Sequence, residues 1–389
     1  MSRPPASRLG LVLDVSAVPP SPAGAGRYIA ELAGALSRRD EVGLTLVTRW
    51  DDTERWQSLR PDLRLIATVP ASRPARLAYE RVWLGRRLRR EPPETLEVYH
   101  GPHYTLPAGL PSGRVVTVHD LTFLDHPEWH ETAKVRFFQS AIRRSAREAD
   151  VMVCVSGTTA ARLADLVEVA GDIVVAEHGV DHERFRPGPV DRALLPEGLP
   201  AEGELVVHIG TLEPRKGVVD LVRAFETVAA RRPLARLVLA GLPGWAADEV
   251  EAAVATSQAA GRIHRLGWVP DETVVALMRA ARVVVYPSYE EGFGLPALEA
   301  MAVGAPLITT EGTAMAEFAG EAAWLVPPGD PGSLARALDT VLEAPAEQLA
   351  RRVEEGTGRA ARFTWERTAA VHLEAYELAR TRARRRSGT

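Results

Sequence analysis

Two glutamates frame the stretch of this chain best suited to chemistry, Pro287-Ser-Tyr-Glu-Glu-Gly-Phe-Gly-Leu-Pro-Ala-Leu-Glu-Ala-Met-Ala302. The apolar run Arg282-Val-Val-Val-Tyr286 before it reads as a buried strand. A helix is expected to open at Pro296, because proline's fixed φ and missing N–H suit a first helical position. Gly292 and Gly294 let bare backbone amides approach a ligand at the positive end of that helix, a setting that favours phosphate oxygens. On one continuous helix Glu291 and Glu299 would stand roughly 80° apart, at ~100° per residue, so they need not act as a pair. One carboxylate for each part of an extended ligand is the expected arrangement.

A second constellation, Gly210-Thr-Leu-Glu-Pro-Arg-Lys-Gly217, follows another apolar run and opens another helix. Arg215 can fork two donors onto phosphate oxygens, while Lys216 supplies a compact charge. Adjacent cations at a helix N-terminus oppose its dipole, a conflict that an anionic ligand would resolve. In the first half, Pro22-Ala-Gly-Ala-Gly-Arg-Tyr28 carries a Gly-x-Gly, but Ile29 at the third-glycine position argues against a dinucleotide fingerprint. Val115-Val-Thr-Val-His-Asp-Leu121 sets His119 and Asp120 at the C-terminal end of a strand, where parallel sheets meet their ligands.

Glu291-Gly-Phe-Gly-Leu-Pro-Ala-Leu-Glu299, with Gly304-Ala-Pro-Leu-Ile308 after it, resembles the signature of the retaining family-4 glycosyltransferases of GT-B fold. Glu-Pro-Arg-Lys216 together with Val-His-Asp-Leu121 is most similar to the mannosyltransferase-like branch. The resemblance implies roles. Glu291 would meet the donor sugar, Glu299 the nucleotide ribose, and Arg215 and Lys216 the donor diphosphate. Gly210 and the backbone of Gly292, Phe293, Gly294 and Leu295 would complete the donor site. Gly24 and Gly26 would press against the diphosphate and the acceptor. His119 would lie beside the donor sugar, with Asp120 orienting it or touching the acceptor. The catalytic set so implied is His119, Glu291, Arg215 and Lys216.

The activity implied is transfer of a hexose, with retention, from a nucleotide diphosphate sugar to a glycan or lipid-linked acceptor in cell-envelope glycan or glycolipid synthesis. GDP-mannose is the favoured donor, with UDP-glucose, UDP-N-acetylglucosamine and dTDP-sugars open. No metal or other cofactor is expected. The chain has no Asp-x-Asp, and the pairs His100/His103, His126/His130 and His178/His182 lack zinc-site company. Charge on the diphosphate would then fall to Arg215, Lys216 and helix ends. Two alternatives use the same residues: a sugar-nucleotide epimerase of this fold, and a non-catalytic nucleotide-sugar-binding scaffold on a membrane.

The elements that must position these residues are legible as short apolar runs alternating with amphipathic segments, the mark of parallel α/β structure. Strands are expected near 9–15, 44–48, 63–69, 96–100, 114–119, 150–155 and 172–177, with helices near 25–38, 74–90, 129–148 and 157–168. A Pro/Gly-rich linker over 181–203 separates them from a second series of strands near 204–210, 235–240, 262–266, 282–286, 306–309 and 322–326. The fold class is therefore α/β: two doubly wound, Rossmann-like domains, which the resemblance sets across a deep cleft. An acceptor domain of residues 1–185 precedes a donor domain of 186–364. The segment 365–389 is a helix that the resemblance returns to the first domain, with a frayed basic end from Arg382.

Composition is ordinary for a soluble globular protein. The chain has 389 residues, enough for two domains, with 46% hydrophobic and 25% charged residues. A net charge of −4 gives no reason to expect nucleic acid. The single cysteine, Cys154, lies in Val151-Met-Val-Cys-Val155 and reads as a buried hydrophobe in a reducing compartment. With no long apolar span and no apolar signal core, a cytoplasmic location is expected. One stretch, from Arg73 to Arg90, is strongly basic. Leu77, Leu84 and Leu88, with Trp83, would line its apolar face. It reads equally as a packed helix or as a peripheral dock on the anionic inner face of a membrane.

Overall fold

The computed structural model describes residues 8–199 and 204–388; positions 200–203 of the expected linker lie outside them. The chain divides into two units. Met1–Pro127, Thr132–Gly179 and Trp365–Thr389 form the first, and Glu128–Glu131 with Val180–Thr364 the second. The second unit takes up the chain from Val180, and the short piece Glu128–Glu131 also belongs to it.

The first unit is built on seven strands: β1 Leu9–Asp14, β2 Val42–Arg49, β3 Arg64–Val69, β4 Val98–Gly101, β5 Gly113–Val118, β6 Val151–Cys154 and β7 Asp172–Val175. They form one sheet in the order β3-β2-β1-β4-β5-β6-β7, each pair parallel. Helices cover both faces of such a sheet, so its strands read as unbroken apolar runs. Val151 to Cys154 are all without solvent exposure, and burial pushes the Cys154 thiol up to about 12, which removes it as a nucleophile.

Six strands build the second unit: β8 Glu204–Ile209, β9 Ala235–Ala240, β10 Ile263–Gly267, β11 Val283–Tyr286, β12 Leu307–Thr310 and β13 Trp324–Val326. Their order is β10-β9-β8-β11-β12-β13, again all parallel. In both sheets the winding reverses once, between β1 and β4 and between β8 and β11. Open α/β sheets bind ligands at the carboxyl ends of the strands flanking such a reversal.

The last helix, Trp365–Ser387, packs on the first unit, as expected. A buried hydrogen-bond chain fixes it there. His372 Nδ1–H donates to Thr368 O (2.8 Å), which leaves Nε2 to accept from Tyr28 O–H (2.7 Å). Tyr28 then accepts from Thr117 (2.9 Å), Thr117 from His100 Nε2–H (2.8 Å), and His100 Nδ1 from Tyr376 O–H (2.9 Å). With both imidazoles neutral every link is satisfied. Burial enforces that state, holding His100 well below the usual range and pushing His372 down to about 4.

Two sequence expectations need correction here. The basic end is not frayed: the helix runs to Ser387, and Arg382, Arg384 and Arg386 pair with Asp172, Glu97 and Asp150 of the first unit. Each guanidinium finds a carboxylate at the start of a strand, Glu97 and Asp150 just before β4 and β6 and Asp172 at the first position of β7, which a view of the tail alone does not disclose. The stretch from Arg73 is also not one regular helix. Arg73–Tyr79 and Gly85–Leu88 are α-helical, and Glu80–Leu84 between them is a π turn. Leu84 and Leu88 are buried in the core, whereas Val82 and Trp83 are 45% and 51% exposed. The leucines and Trp83 therefore do not share a face.

Candidate active site

In the second unit the reversal between β8 and β11 gathers the two motifs. Beyond β8, Gly210 leads to a 3₁₀ turn, Pro214–Lys216, and Gly217 then caps the Val218–Ala229 helix. Gly217 has φ 69°, and a Cβ there would lie 2.1 Å from Pro287 O. Only glycine lets this turn press against the loop that follows β11. The two are joined by Tyr289 N–H donating to Arg215 O (3.0 Å).

That contact delivers Lys216 to Glu291. The Lys216 ammonium, 8% exposed, is ion-paired with Glu291 Oε1, which also accepts from Ser288 Oγ–H (3.0 Å). Burial lowers the lysine's pKa, and Glu291 works against that shift. Arg215 Nε meets Glu213 Oε2 at 2.7 Å. Carboxylates of the protein itself therefore balance both cations, and the conflict with the helix dipole is already relieved without a ligand. A diphosphate would compete with Glu291 for Lys216.

Gly294 (φ 96°) caps the Leu295–Ala302 helix, where a Cβ would fall 2.4 Å from Met315 Cγ. Pro296 sits in its first turn, one position later than expected. Glu291 lies before this helix and Glu299 within it, 5% exposed. They are thus not on one continuous helix. The Phe293 and Leu295 side chains are buried, Phe293 against Phe318 with centroids 5.2 Å apart, so what these residues can offer a ligand is backbone.

One residue here escaped sequence reasoning. His208, on β8, is fully buried and stacks on Tyr286 with centroids 5.4 Å apart. Its Nδ1–H donates to Val285 O (3.0 Å), and its Nε2 has no hydrogen-bond partner among the described residues. Burial pushes it down to about 4, with Lys216 and Glu291 both felt at the ring. The available signal was a polar residue inside the apolar run Leu205-Val-Val-His-Ile209, just ahead of Gly210.

The first unit holds the other expected residues. Gly24 caps the Ala25–Ser37 helix that follows β1, and Gly26 lies in its first turn. His119 and Asp120 stand just past β5. His119 is buried, and its Nε2–H donates to Pro102 O (2.8 Å), leaving Nδ1 as an acceptor. Tyr28 meets its ring edge-on at 5.1 Å, with His103, Tyr104 and His178 within 6.2 Å. Desolvation lowers its pKa and keeps it neutral. Asp120 does not orient it. Asp120 Oδ1 accepts from the Thr122 N–H and hydroxyl (3.2 and 2.8 Å), and Pro102 fixes the imidazole instead. Protein groups also engage the histidines weighed as metal ligands: His100 in the buried chain, His178 stacked on Tyr28 at 4.8 Å, and His182 on Phe363 O at 3.1 Å.

Comparison with known proteins places the chain in a family. Residues 22–184 match the Glycosyltransferase Family 4 profile and residues 194–359 that of Glycosyl transferases group 1. O-antigen chain mannosyltransferase B of Escherichia coli is 32% identical over 286 residues, covering 72% of this chain and 74% of that protein. D-inositol 3-phosphate glycosyltransferase 2 of Catenulispora acidiphila is 35% identical over 216 residues, which is 53% of this chain and 50% of that one. Among solved structures, sucrose-phosphate synthase of Thermosynechococcus elongatus superposes with a TM-score of 0.76 at 22% identity, covering 95% of this chain and 98% of that one. Anabaena HepE in complex with UDP and glucose gives 0.72 at 17% identity, covering 95% and 100%.

Proposed function

Because this chain belongs to the family-4 glycosyltransferases of GT-B fold, we propose that it moves a hexose from a nucleotide diphosphate sugar to an acceptor hydroxyl with retention of configuration. The observation that carries the proposal is the junction of Arg215-Lys216 with Glu291 at the reversal of the second sheet. Charge grows on the departing diphosphate as the glycosidic bond breaks. A buried ammonium beside a guanidinium and the first amides of the Leu295–Ala302 helix suits that charge better than water does, being already oriented. Glu291, displaced from Lys216 by phosphate, would be free to accept from sugar hydroxyls, while Glu299 takes the ribose. His119 offers a neutral acceptor for the sugar face. No metal enters this scheme.

Mannose from GDP-mannose is the favoured donor, supported by the E. coli relative's name, with cell-envelope glycan or glycolipid synthesis as setting. No helix among the described residues is long and apolar enough to cross a membrane. A peripheral contact with an anionic, inner membrane face is proposed through exposed Val82 and Trp83. Arg81, Arg86 and Arg90 lie beside them with no carboxylate partner among the described residues.

The test is incubation of the full chain with a panel of nucleotide sugars and glycan or lipid-linked acceptors. Acceptor-dependent release of nucleoside diphosphate, with a product of unchanged anomeric configuration by NMR, is expected. Conversion of the donor to its epimer without acceptor, or an inverted product, would overturn the reading.

A further inference from the structure

His119 and Asp120 are neighbours in sequence, and a carboxylate that reaches an imidazole favours its protonated form. Here the two are kept apart. His119 gives its Nε2–H to Pro102 O (2.8 Å) and keeps Nδ1 as an acceptor. The Asp120 carboxylate turns instead to Thr122, which donates through its N–H (3.2 Å) and its buried hydroxyl (2.8 Å). Other groups packed around the imidazole carry no charge at neutral pH. Burial pushes His103, after β4, down to about 3, holds His100 of β4 and His178 after β7 well below the usual value, and raises Tyr28. Arg73 and Arg76 are felt at His103. At His119 itself desolvation lowers the pKa, and the Pro102 bond and Asp120 oppose it.

The loop after β4 enforces this separation through Tyr104. Its hydroxyl accepts from Asp120 N–H (2.8 Å) and donates to Asp120 O (3.1 Å). One side chain thus brackets both main-chain groups of Asp120, and turning that residue would break one bond or the other. Tyr104 holds φ 64°, an outlier for an aromatic residue. Such strain persists where surrounding structure over-determines it, and it clusters at functional sites. Here the surroundings grip Tyr104 from several elements. Its N–H donates to Thr117 O of β5 (3.1 Å), and its carbonyl accepts from Ser145 Oγ–H (2.7 Å) on the Thr132–Glu148 helix. Its ring meets Phe123 and Phe138 edge-on, with centroids 5.4 and 5.3 Å apart. Pro102 and Tyr104, two positions apart, therefore hold the His119 ring and the Asp120 main chain from the same loop.

We propose that Tyr104 is a positioning residue for the transfer reaction: by clamping the Asp120 main chain it keeps that carboxylate on Thr122, so that His119 meets the donor sugar with Nδ1 as a proton-free acceptor. Without the clamp Asp120 can turn to the ring and stabilise a proton on Nδ1, which converts the acceptor into a donor. The strain at Tyr104 is then the cost of holding the histidine in one charge state beside a carboxylate. This inference rests on the transferase reading and adds the residue that sets the state of its histidine.

The experiment compares the full chain with Tyr104→Phe, with Ser145→Ala and with the double variant Tyr104→Phe/Asp120→Asn. His119 is followed by two-bond ¹⁵N–¹H NMR of histidine-labelled protein, its signal assigned by its loss in His119→Gln, and transfer by kcat and donor KM against pH. In Tyr104→Phe the His119 titration and the acid limb of kcat should move up together by about one pH unit, the smaller end of the effect of an opposite charge brought close. Donor KM at the pH optimum should change less than twofold. Adding Asp120→Asn should return the titration and the acid limb to their wild-type positions, a rescue that a merely structural hydroxyl would not show. Ser145→Ala loosens the Tyr104 backbone and keeps the hydroxyl; it should shift both in the same direction, and it decides the matter should Tyr104→Phe fail to fold. An unmoved His119 titration in the folded variant, or a shift that persists with Asp120→Asn, would overturn the inference. A shifted and rescued titration without transfer from any donor would leave the clamp standing and sink the transferase reading. Transfer with an unmoved titration would do the reverse.

Discussion

Lys216 and Glu291 are 75 positions apart in sequence and share an ion pair at the heart of the second unit. Their partnership sets the expected behaviour of single substitutions. Lys216→Ala and Arg215→Ala should each lower kcat by roughly 10²–10³, the loss seen when a donor to developing charge is removed. Unchanged turnover in steady-state assays would dismiss diphosphate stabilisation. Glu299→Ala should weaken nucleotide-sugar binding instead, which calorimetry would register; undiminished affinity would end the ribose assignment. Gly217→Ala tests the docking of the two loops. It forces a side chain into φ 69° and onto Pro287 O, so stability and kcat should fall together.

At the scale of the element, the segment from Arg73 to Leu88 separates two roles that lie side by side in the sequence. Leu88→Ala should cost about 2–5 kcal/mol in denaturant unfolding, because a fully buried side chain leaves a cavity. Trp83→Ala should change stability by no more than about 0.5 kcal/mol, since the ring is half exposed. Its effect should appear in co-sedimentation with vesicles containing phosphatidylglycerol, and undiminished sedimentation would dismiss the membrane proposal. Periodicity alone put Trp83 among the leucines. A π turn adds a residue to one turn and rotates the rest of the helix, so a face counted at regular helical spacing is displaced. The strands had no such ambiguity. The central strands, buried on both faces, show as apolar runs whatever their neighbours are, and each expected strand has its counterpart in β1 to β13.

Across the whole molecule, buried neutral histidines tie stability to pH. His103 is pushed down to about 3, His372 and His208 to about 4, and His100, His119 and His178 also lie below the usual value, each chiefly through burial. In the unfolded chain each binds a proton near pH 6.5, while in the fold it stays neutral to lower pH. The stability they protect is therefore whole above about pH 6.5 and is lost as pH falls below it, by about 1.4 kcal/mol per pH unit for each histidine. Asp14 and Glu80, raised by burial, act with the opposite sign over part of that window, but they are two against six. Guanidinium unfolding should show a clear loss between pH 7 and pH 5. A flat profile would mean that the imidazoles are charged or solvated in the fold.

By itself the sequence determined the two parallel sheets, the two loops that carry Arg215-Lys216 and Glu291–Glu299, and the family to which they belong. These come from local physics: continuous apolar runs, glycines where the backbone must turn, and proline where a helix begins. Tertiary structure decided who meets whom. It gave Lys216 a carboxylate partner, stacked His208 on Tyr286 within electrostatic reach of that pair, tied the basic tail to Asp150 and Asp172, and opened a cavity between Asp14 and Glu80. Such contacts depend on the order in which strands lie in a sheet, and strand order is a property of the folded chain that no local pattern encodes.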